Sequence, residues 1–108
     1  MNKLRIYIAG PMRGLKDLNR ERFFEAESYL NNKGIYITQN PARWDDESGL
    51  SVEDLCCKTE LSKAFRRDLN AIFECNCVYM LRGWEKSEGA RLEHALATMI
   101  NLVIIYQH

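Results

Sequence analysis

Two carboxylates lie on faces of predicted helices that are otherwise apolar. When residues are placed about 100° apart around a helix axis, Glu93 falls beside Leu96 and Ala97, away from the polar side of its helix. Asp68 falls beside Leu61 in the preceding helix in the same way. Burying an ionised carboxylate without a partner carries a large desolvation penalty. Each carboxylate therefore belongs either to a buried ion pair or to an active site, where perturbed groups are concentrated.

The residue pattern alone leaves both explanations open. As ion-pair members, the two carboxylates would need a cationic partner such as Arg13, Arg66 or Arg82. Arg66 and Arg67 lie on the face of their helix opposite to Asp68. As catalytic groups, the two carboxylates would have to meet at one ligand-binding site.

A glycine-containing turn and a serine at a predicted helix start offer groups that bind phosphate. The turn comprises Gly10, Pro11, Met12, Arg13 and Gly14. Its glycines would let backbone N–H groups approach an anion, and Ser87 would add a hydroxyl, unpaired amides and a favourable helix dipole. A tight turn and an ordinary N-cap explain the same residues. The sequence has neither a Walker A pattern nor G-x-G-x-x-G, which disfavours ATP and dinucleotide cofactors, so we expect no cofactor.

The composition argues against several classes of partner and chemistry. Fifteen basic residues balance fifteen acidic ones, so no net field favours bulk nucleic acid or a membrane. The apolar runs are too short for a membrane span and the first residues lack a signal-peptide core, which predicts a cytoplasmic protein. His94 lies on the polar side of its helix and His108 is the last residue, which offers little support for a metallohydrolase. The cysteines lack the common zinc spacing and are predicted to be reduced; they are Cys56, Cys57, Cys75 and Cys77.

Apolar and β-branched runs predict four strands that alternate with helices. The strands are expected at residues 4–9, 35–38, 77–81 and 102–106. The helices are expected from the N-cap Asn19 to Gly34, at 59–74 and at 87–100. Residues 42–49 are predicted to be a polar stretch, and the capping-box pattern Ser51-Val52-Glu53-Asp54 predicts a short helix after it.

This alternation predicts a single α/β domain over residues 1–108. The expected architecture is a three-layer, Rossmann-like (flavodoxin-like) fold with a mainly parallel four-stranded sheet in the order 2-1-3-4. Ligands bind such sheets beyond the carboxyl ends of the strands, which selects segments 10–14, 39–41 and 82–89. Asn40, Trp84 and Gly89 thereby join the candidate substrate-binding residues. The Trp84 ring would either stack on a base or cover an edge of the core.

Four stretches of the chain resemble the nucleoside 2-deoxyribosyltransferase superfamily. They are residues 6–14, Asn40-Pro41-Ala42, Arg67-Asp68-Leu69 and residues 83–93. The chain is similar in particular to the short branch of 2′-deoxynucleoside 5′-monophosphate N-hydrolases, and to a small family of that type carried by phages and prophages. The resemblance extends over nearly the whole chain. It implies cleavage of the N-glycosidic bond of a small-molecule nucleotide, without a metal or an organic cofactor.

The resemblance also implies roles for individual residues. Glu93 matches the catalytic glutamate, Asp68 its supporting aspartate and Tyr7 the tyrosine of the first strand. Glu93 would attack or electrostatically support C1′ of the sugar, while Asp68 with Tyr7 would orient Glu93 or transfer a proton. Residues 10–14 match the phosphate-side loop. Ser87 matches a serine that holds the 5′-phosphate, where the transferases tend to carry an aspartate, and so favours a nucleotide over a nucleoside.

Two alternative functions are considered, and the chain is expected to form a homo-oligomer. A transferase would move deoxyribose between bases, and a non-catalytic phage protein would bind or sequester a nucleotide without requiring Glu93. Members of the superfamily often complete their pocket with a neighbouring subunit, and the chain stops after the fourth strand, where those members continue into a fifth. The sheet edge left exposed predicts a homodimer or larger homo-oligomer, through a surface that includes the helix from Asn19.

Overall fold

The computed structural model describes residues 3–49, 51, 53–54 and 57–108. Its strands are β1 (Leu4–Ala9), β2 (Tyr36–Gln39), β3 (Cys77–Met80) and β4 (Val103–Tyr106). Its main helices are α1 (Arg20–Asn31), α2 (Pro41–Ser48), α3 (Lys58–Phe73) and α4 (Glu88–Met99). Short 3-10 turns occupy Lys16–Asn19 and Trp84–Lys86. Across these described ranges, every helix falls short of the length and apolarity that crossing a bilayer requires.

The four strands form one parallel sheet in the order β2-β1-β3-β4, which confirms the predicted order. Tyr7 of β1 is aligned with Gln39 of β2 on one side and with Val78 of β3 on the other. The connection after β1 therefore leads to one side of the sheet, and the connection after β3 leads to the other side. The crevice that such a reversal creates lies beyond the carboxyl ends of these two central strands.

Helices cover both faces of the sheet, so the predicted three-layer arrangement is confirmed. On one face, Ile6 and Ile8 pack in a buried cluster with Phe23 of α1. On the other face, Tyr7 packs with Ile72 of α3, in a cluster that also contains Ala97 of α4. Successive residues of β1 point to opposite faces, which explains why its buried half is apolar at every position.

The edge strands are less buried than the sequence pattern implies. The side chains of β3 are all buried, whereas Val103 of β4 is 60% exposed and Ile37 of β2 is 43% exposed. An edge strand has a paired neighbour on one side only, and the covering helices do not reach every residue on it. An apolar run thus indicates a strand, but it does not distinguish a central strand from an edge strand.

Helix α2 occupies the segment that was predicted to be a polar stretch, and that prediction is wrong. The Asn40 side chain accepts a hydrogen bond from the Ala42 amide at 3.0 Å, Pro41 occupies the first turn, and Gly49 follows in the left-handed region at φ 74°. These are standard start and stop signals. The prediction gave these signals too little weight because the eight residues carry few apolar side chains.

The capping-box pattern that follows α2 is present. Ser51 N donates to an Asp54 carboxylate oxygen at 2.9 Å, and Asp54 N donates to Ser51 Oγ at 3.1 Å. The extent of the predicted short helix is not described, because Val52 lies outside the described residues, as do Leu55 and Cys56.

Asn19 precedes α1 as predicted, but it does not cap the helix with its side chain. Its backbone is left-handed at φ 61°, after two residues that also have positive φ. The Asn19 side-chain amide donates instead to the Pro11 carbonyl at 2.9 Å. This bond ties the start of α1 to the turn after β1.

Candidate functional site

A cavity of about 930 Å³ lies beyond the carboxyl ends of β1 and β3. Its walls come from the turn after β1, the start of α1, the segment between β3 and α4, the first two turns of α4, the inner side of α3, one residue of α2 and Gln107 after β4. Nine of the predicted site residues line it, namely Gly10, Pro11, Met12, Arg13, Gly14, Asp68, Ser87, Gly89 and Glu93. The structure therefore brings the predicted phosphate-binding groups and the two carboxylates to one place.

The first glycine of the turn is required by packing. A Cβ atom built at Gly10 would lie 2.7 Å from Cβ of Leu81, closer than two such atoms can approach. The same region is tied by a hydrogen bond from Leu81 N to Ala9 O at 2.8 Å. Gly14 has φ 82°, a conformation that favours glycine. The two glycines thus hold the ends of the central strands together and turn the chain along the cavity.

The N-terminus of α4 faces the cavity with hydrogen-bond donors. Ser87 is its N-cap, because Ser87 Oγ accepts from the Ala90 amide at 3.2 Å. Residues 87–90 all line the cavity. The first amides of a helix have no intrahelical acceptor, and the helix dipole is positive at this end. The Ser87 hydroxyl still has a proton to donate while it accepts from Ala90, so N-capping and anion binding are compatible.

Glu93 lies at the inner end of the cavity and is 5% exposed. The fully buried Tyr7 hydroxyl donates to Glu93 Oε2 at 2.7 Å. Burial raises the pKa of Glu93 to about 8, and the nearby Asp68 charge raises it further, against the Tyr7 hydrogen bond and Arg67, which lower it. Burial therefore favours the protonated form of Glu93.

Asp68 is buried like Glu93, but it has a cationic partner. Arg67 Nε and Nη2 donate to Asp68 Oδ1 at 2.9 and 2.7 Å. Burial still raises the pKa of Asp68 to about 6, although Arg67 lowers it. The ion-pair partners considered from the sequence were wrong, and Arg67 does not stay on the opposite side of its helix. Its side chain is long enough to bring the guanidinium back to the neighbouring residue.

Arg67 also connects α3 to α2. Its Nη2 lies 2.9 Å from Asp45 Oδ1, and its guanidinium carbon lies 5.3 Å from the centre of the Trp44 ring. The Trp44 ring in turn packs 6.4 Å from the Tyr7 ring. Asp45 lines the cavity, and burial raises its pKa. Asp45 was not predicted as a site residue because the helical state of α2 was not predicted, although the capping signals of that helix were present. The pairing of Arg67 with Asp68 and Asp45 was not predicted either.

Three predicted site residues do not line the cavity. Tyr7 lies behind the cavity wall, where its hydroxyl donates to Glu93 and also lowers the pKa of Asp68. Asn40 is buried, and its side chain caps α2. Trp84 stacks on His94, with ring centres 4.2 Å apart, and His94 Nε2 lies 2.8 Å from the Tyr106 hydroxyl. Asn40 and Trp84 thus serve the scaffold here, and a contact with substrate stays a prediction for both.

The cavity holds most of its negative charge away from solvent. Three of its carboxylates, those of Asp45, Asp68 and Glu93, are shielded, whereas the carboxylate of Glu88 is exposed. Its four cationic side chains are exposed at the mouth: Arg13, Arg22, Arg82 and Lys86. A ligand with an anionic end and a part that becomes cationic would match this arrangement, with the anion outside and the developing cation inside.

Among the described residues, the site contains neither a group of metal ligands nor a reactive thiol. In the described ranges, no three histidine, cysteine or acidic side chains are grouped so that they could hold a metal ion. Cys57, Cys75 and Cys77 are free thiols, and none of them lines the cavity. Burial raises the pKa of Cys75 to about 11, which disfavours the nucleophilic thiolate.

Most of the chain matches a known protein family. Residues 4–106 match the family described as Domain of unknown function (DUF4406). The chain belongs to this family. The match runs from the start of β1 to the end of β4, so the sheet and nearly the whole cavity wall lie inside the family domain. No curated protein matches the chain.

Proposed function

We propose that this protein is an N-glycosidase that cleaves the base–sugar bond of a (deoxy)nucleoside 5′-monophosphate. The observation that carries the proposal is the buried Glu93, bonded to Tyr7, in the same cavity as the N-terminus of α4. The resemblance to the nucleotide N-hydrolases supports the same residues in the same roles. We place the enzyme in the cytoplasm, where free thiols such as that of Cys75 persist.

The anionic end of the substrate binds at the mouth of the cavity. The first amides of α4 and the Ser87 hydroxyl donate hydrogen bonds to the 5′-phosphate, and Arg13 supplies a positive charge. This contact orients the sugar so that it points toward the buried carboxylates. Binding energy from the non-reacting phosphate then positions the bond that breaks.

The reaction takes place at Glu93. As the bond to the base lengthens, positive charge develops on the sugar, and the anionic form of Glu93 attacks or electrostatically stabilises C1′. The Tyr7 hydroxyl fixes the orientation of the carboxylate through its 2.7 Å hydrogen bond. Because the pKa of Glu93 is about 8, its proton must leave before it can act as an anion.

Asp68 is the group that exchanges protons with the leaving base or the incoming water. Its pKa of about 6 lies close to neutral pH, which suits a general acid or base. Arg67 holds Asp68 in place with two hydrogen bonds and favours its ionised form. The pKa of Glu93 is higher than that of Asp68 because Glu93 is more deeply buried and because Arg67 donates hydrogen bonds to Asp68 only.

The direct test is incubation with a panel of nucleotides and nucleosides of all common bases, followed by measurement of free base. Release of free base from a nucleoside monophosphate alone supports the hydrolase. Release only when a second base is added, with transfer of the sugar, would indicate a transferase instead. Tight binding of a nucleotide without release of any base would replace the proposal with a non-catalytic binding protein.

Ser87→Ala should weaken binding of a nucleoside monophosphate far more than binding of the corresponding nucleoside. A charge-assisted contact is worth about 1–3 kcal/mol, or roughly ten- to a hundredfold in affinity. The matched control is Ser87→Asp, which retains an N-cap but places a negative charge against the phosphate. Calorimetric titration should show weaker binding of the nucleotide in both variants, with the larger loss in Ser87→Asp. Equal losses for nucleotide and nucleoside in Ser87→Ala would leave Ser87 with capping alone, at a cost of about 1 kcal/mol in stability.

We also predict a homo-oligomer that uses the surface around α1. Tyr29 of α1 is 52% exposed, and its ring lies 6.1 Å from that of Tyr79, next to the edge strand β4. Light scattering at micromolar concentration should show a dimer or larger assembly, and Tyr29→Glu should dissociate it. The control is Met99→Glu, at an exposed position on the opposite side of the sheet. A monomeric wild-type protein, or dissociation by Met99→Glu alone, would contradict this prediction.

A further inference from the structure

The mouth of the cavity carries more positive charge than one phosphate requires. Apart from Arg13, three exposed side chains line it: Arg22 from α1, Arg82 after β3 and Lys86 in the 3-10 turn before α4. We refer to these three as the rim cations. They come from three separate segments of the chain, yet all of them border the same space. The proposed contacts to a 5′-phosphate use none of them.

The rim cations form no ion pair with an acidic residue of the cavity among the described residues, although the exposed Glu88 also lines it and offsets one of its four positive charges. Within the described residues, Arg82 and Lys86 form no ion pair, and Arg22 meets only Glu25, at 3.4 Å on the surface. The inner carboxylates are engaged elsewhere, because Arg67 lies against Asp68 and Asp45. Like charges that share one opening repel each other, and an anion among them would relieve that repulsion.

The volume of the cavity also favours a ligand with a second anionic group. Small-molecule sites usually measure roughly 300–1,000 Å³, and this cavity of about 930 Å³ lies near the upper end of that range. The shielded carboxylates of Asp45, Asp68 and Glu93 lie at its inner end, and the rim cations lie at its mouth. A substrate whose sugar lies against Glu93 therefore leaves room for a group beyond the 5′-phosphate, on the side where the rim cations stand.

We propose that the natural substrate is a nucleoside 5′-diphosphate, with its outer phosphate held by the rim cations. This inference rests on the proposed function, since it assigns the substrate class of the same site. The inner phosphate lies at the N-terminus of α4 with Ser87 and Arg13, and the outer phosphate extends toward the mouth. The base and the sugar occupy the inner part of the cavity.

The first experiment uses inorganic ions, so that it does not depend on the identity of the base. Orthophosphate and pyrophosphate are titrated calorimetrically into the wild-type protein and into the triple variant R22Q/R82Q/K86Q. We expect the wild type to bind pyrophosphate about tenfold or more tightly than orthophosphate, and the triple variant to lose most of that difference. Arg66→Gln is the matched control, because Arg66 is exposed on α3 and does not line the cavity.

An unchanged preference for pyrophosphate in the triple variant would overturn the proposal, and so would an equal loss of affinity for both ions. A similar loss in Arg66→Gln would also overturn the proposal, because the preference for pyrophosphate would then depend on the net charge of the protein and not on the rim cations. Melting temperatures show whether the variants are folded, and the exposure of all three side chains favours that result. The single variant Arg82→Gln, tested in the same way, should lose part of the preference.

The second experiment measures how tightly the Glu93→Gln variant binds the deoxynucleoside mono- and diphosphates of the four bases. This variant is used because it should cleave them far more slowly than the wild type. For the preferred base, the diphosphate should bind about tenfold or more tightly than the monophosphate. Equal or weaker binding of the diphosphate would overturn the proposal. Base release is measured separately with the wild type. If the variant prefers the diphosphate but the wild type releases no base, only the proposed glycosidase activity is refuted. If the wild type releases base but the variant does not prefer the diphosphate, only the proposed substrate class is refuted.

Discussion

Glu93→Gln is expected to lower turnover by about a hundredfold or more while the protein stays folded. The substitution keeps the shape of the side chain and removes the negative charge that meets the cationic sugar. Melting temperature should be unchanged or higher, because a buried ionisable group is replaced by a neutral one. Nucleotide binding should persist, since the proposed phosphate contacts lie at Ser87 and Arg13. Free-base release, ligand affinity and melting temperature are measured on the same preparation.

Glu27→Gln provides a matched control for a buried carboxylate of structural type. Glu27 is buried on α1 and accepts hydrogen bonds from the Arg43 guanidinium, away from the cavity lining. Its substitution should lower the melting temperature and leave turnover unchanged, because it weakens an ion pair outside the site. If Glu93→Gln behaved in that way, with a lower melting temperature and full turnover, Glu93 would belong to the scaffold.

The free energy of unfolding should fall as the pH rises from about 4.5 to about 8. The pKa of Glu93 is raised from 4.5 to about 8 by burial, and that of Asp68 from 3.8 to about 6. The folded state therefore binds more protons than the unfolded state within these windows, so stability present at low pH is lost on deprotonation. Each pKa unit corresponds to about 1.4 kcal/mol. The total effect of Glu93 is thus on the order of several kcal/mol, a large part of the stability of a small domain.

Urea unfolding between pH 4 and 9 measures this dependence, with Glu93→Gln and Asp68→Asn for comparison. Glu93→Gln should remove most of the slope above pH 6, because the raised pKa of Glu93 is about 8 whereas that of Asp68 is only about 6. Asp68→Asn should reduce the slope below that pH, although it also leaves Arg67 without its partner. A wild-type stability that is constant or rises across the window would contradict the burial of these groups as protonated acids. So would a slope in Glu93→Gln equal to that of the wild type.

Several features of this protein were determined by the sequence alone. The apolar runs of β1 and β3 and the alternation of strands with helices were sufficient to predict a parallel sheet covered by helices on both faces, because consecutive parallel strands need right-handed crossover connections. The position of Glu93 among apolar neighbours predicted its burial, since helical spacing fixes the face on which a residue lies. Ser87 was recognised as an N-cap from its residue type and position. All of these depend on interactions between residues close together in the chain, or on a strict periodicity.

Only the tertiary structure decided which groups meet across elements. Arg67 pairs with Asp68 and lies against Asp45 because a long side chain selects its partners in three dimensions, irrespective of the helix face on which its Cα lies. Trp84 stacks on His94 because β4 and α4 meet there, which the loop sequence does not specify. The same holds for the protonation of Glu93: the chain places this carboxylate inside, but its pKa depends on the desolvation and neighbouring charges that packing alone creates.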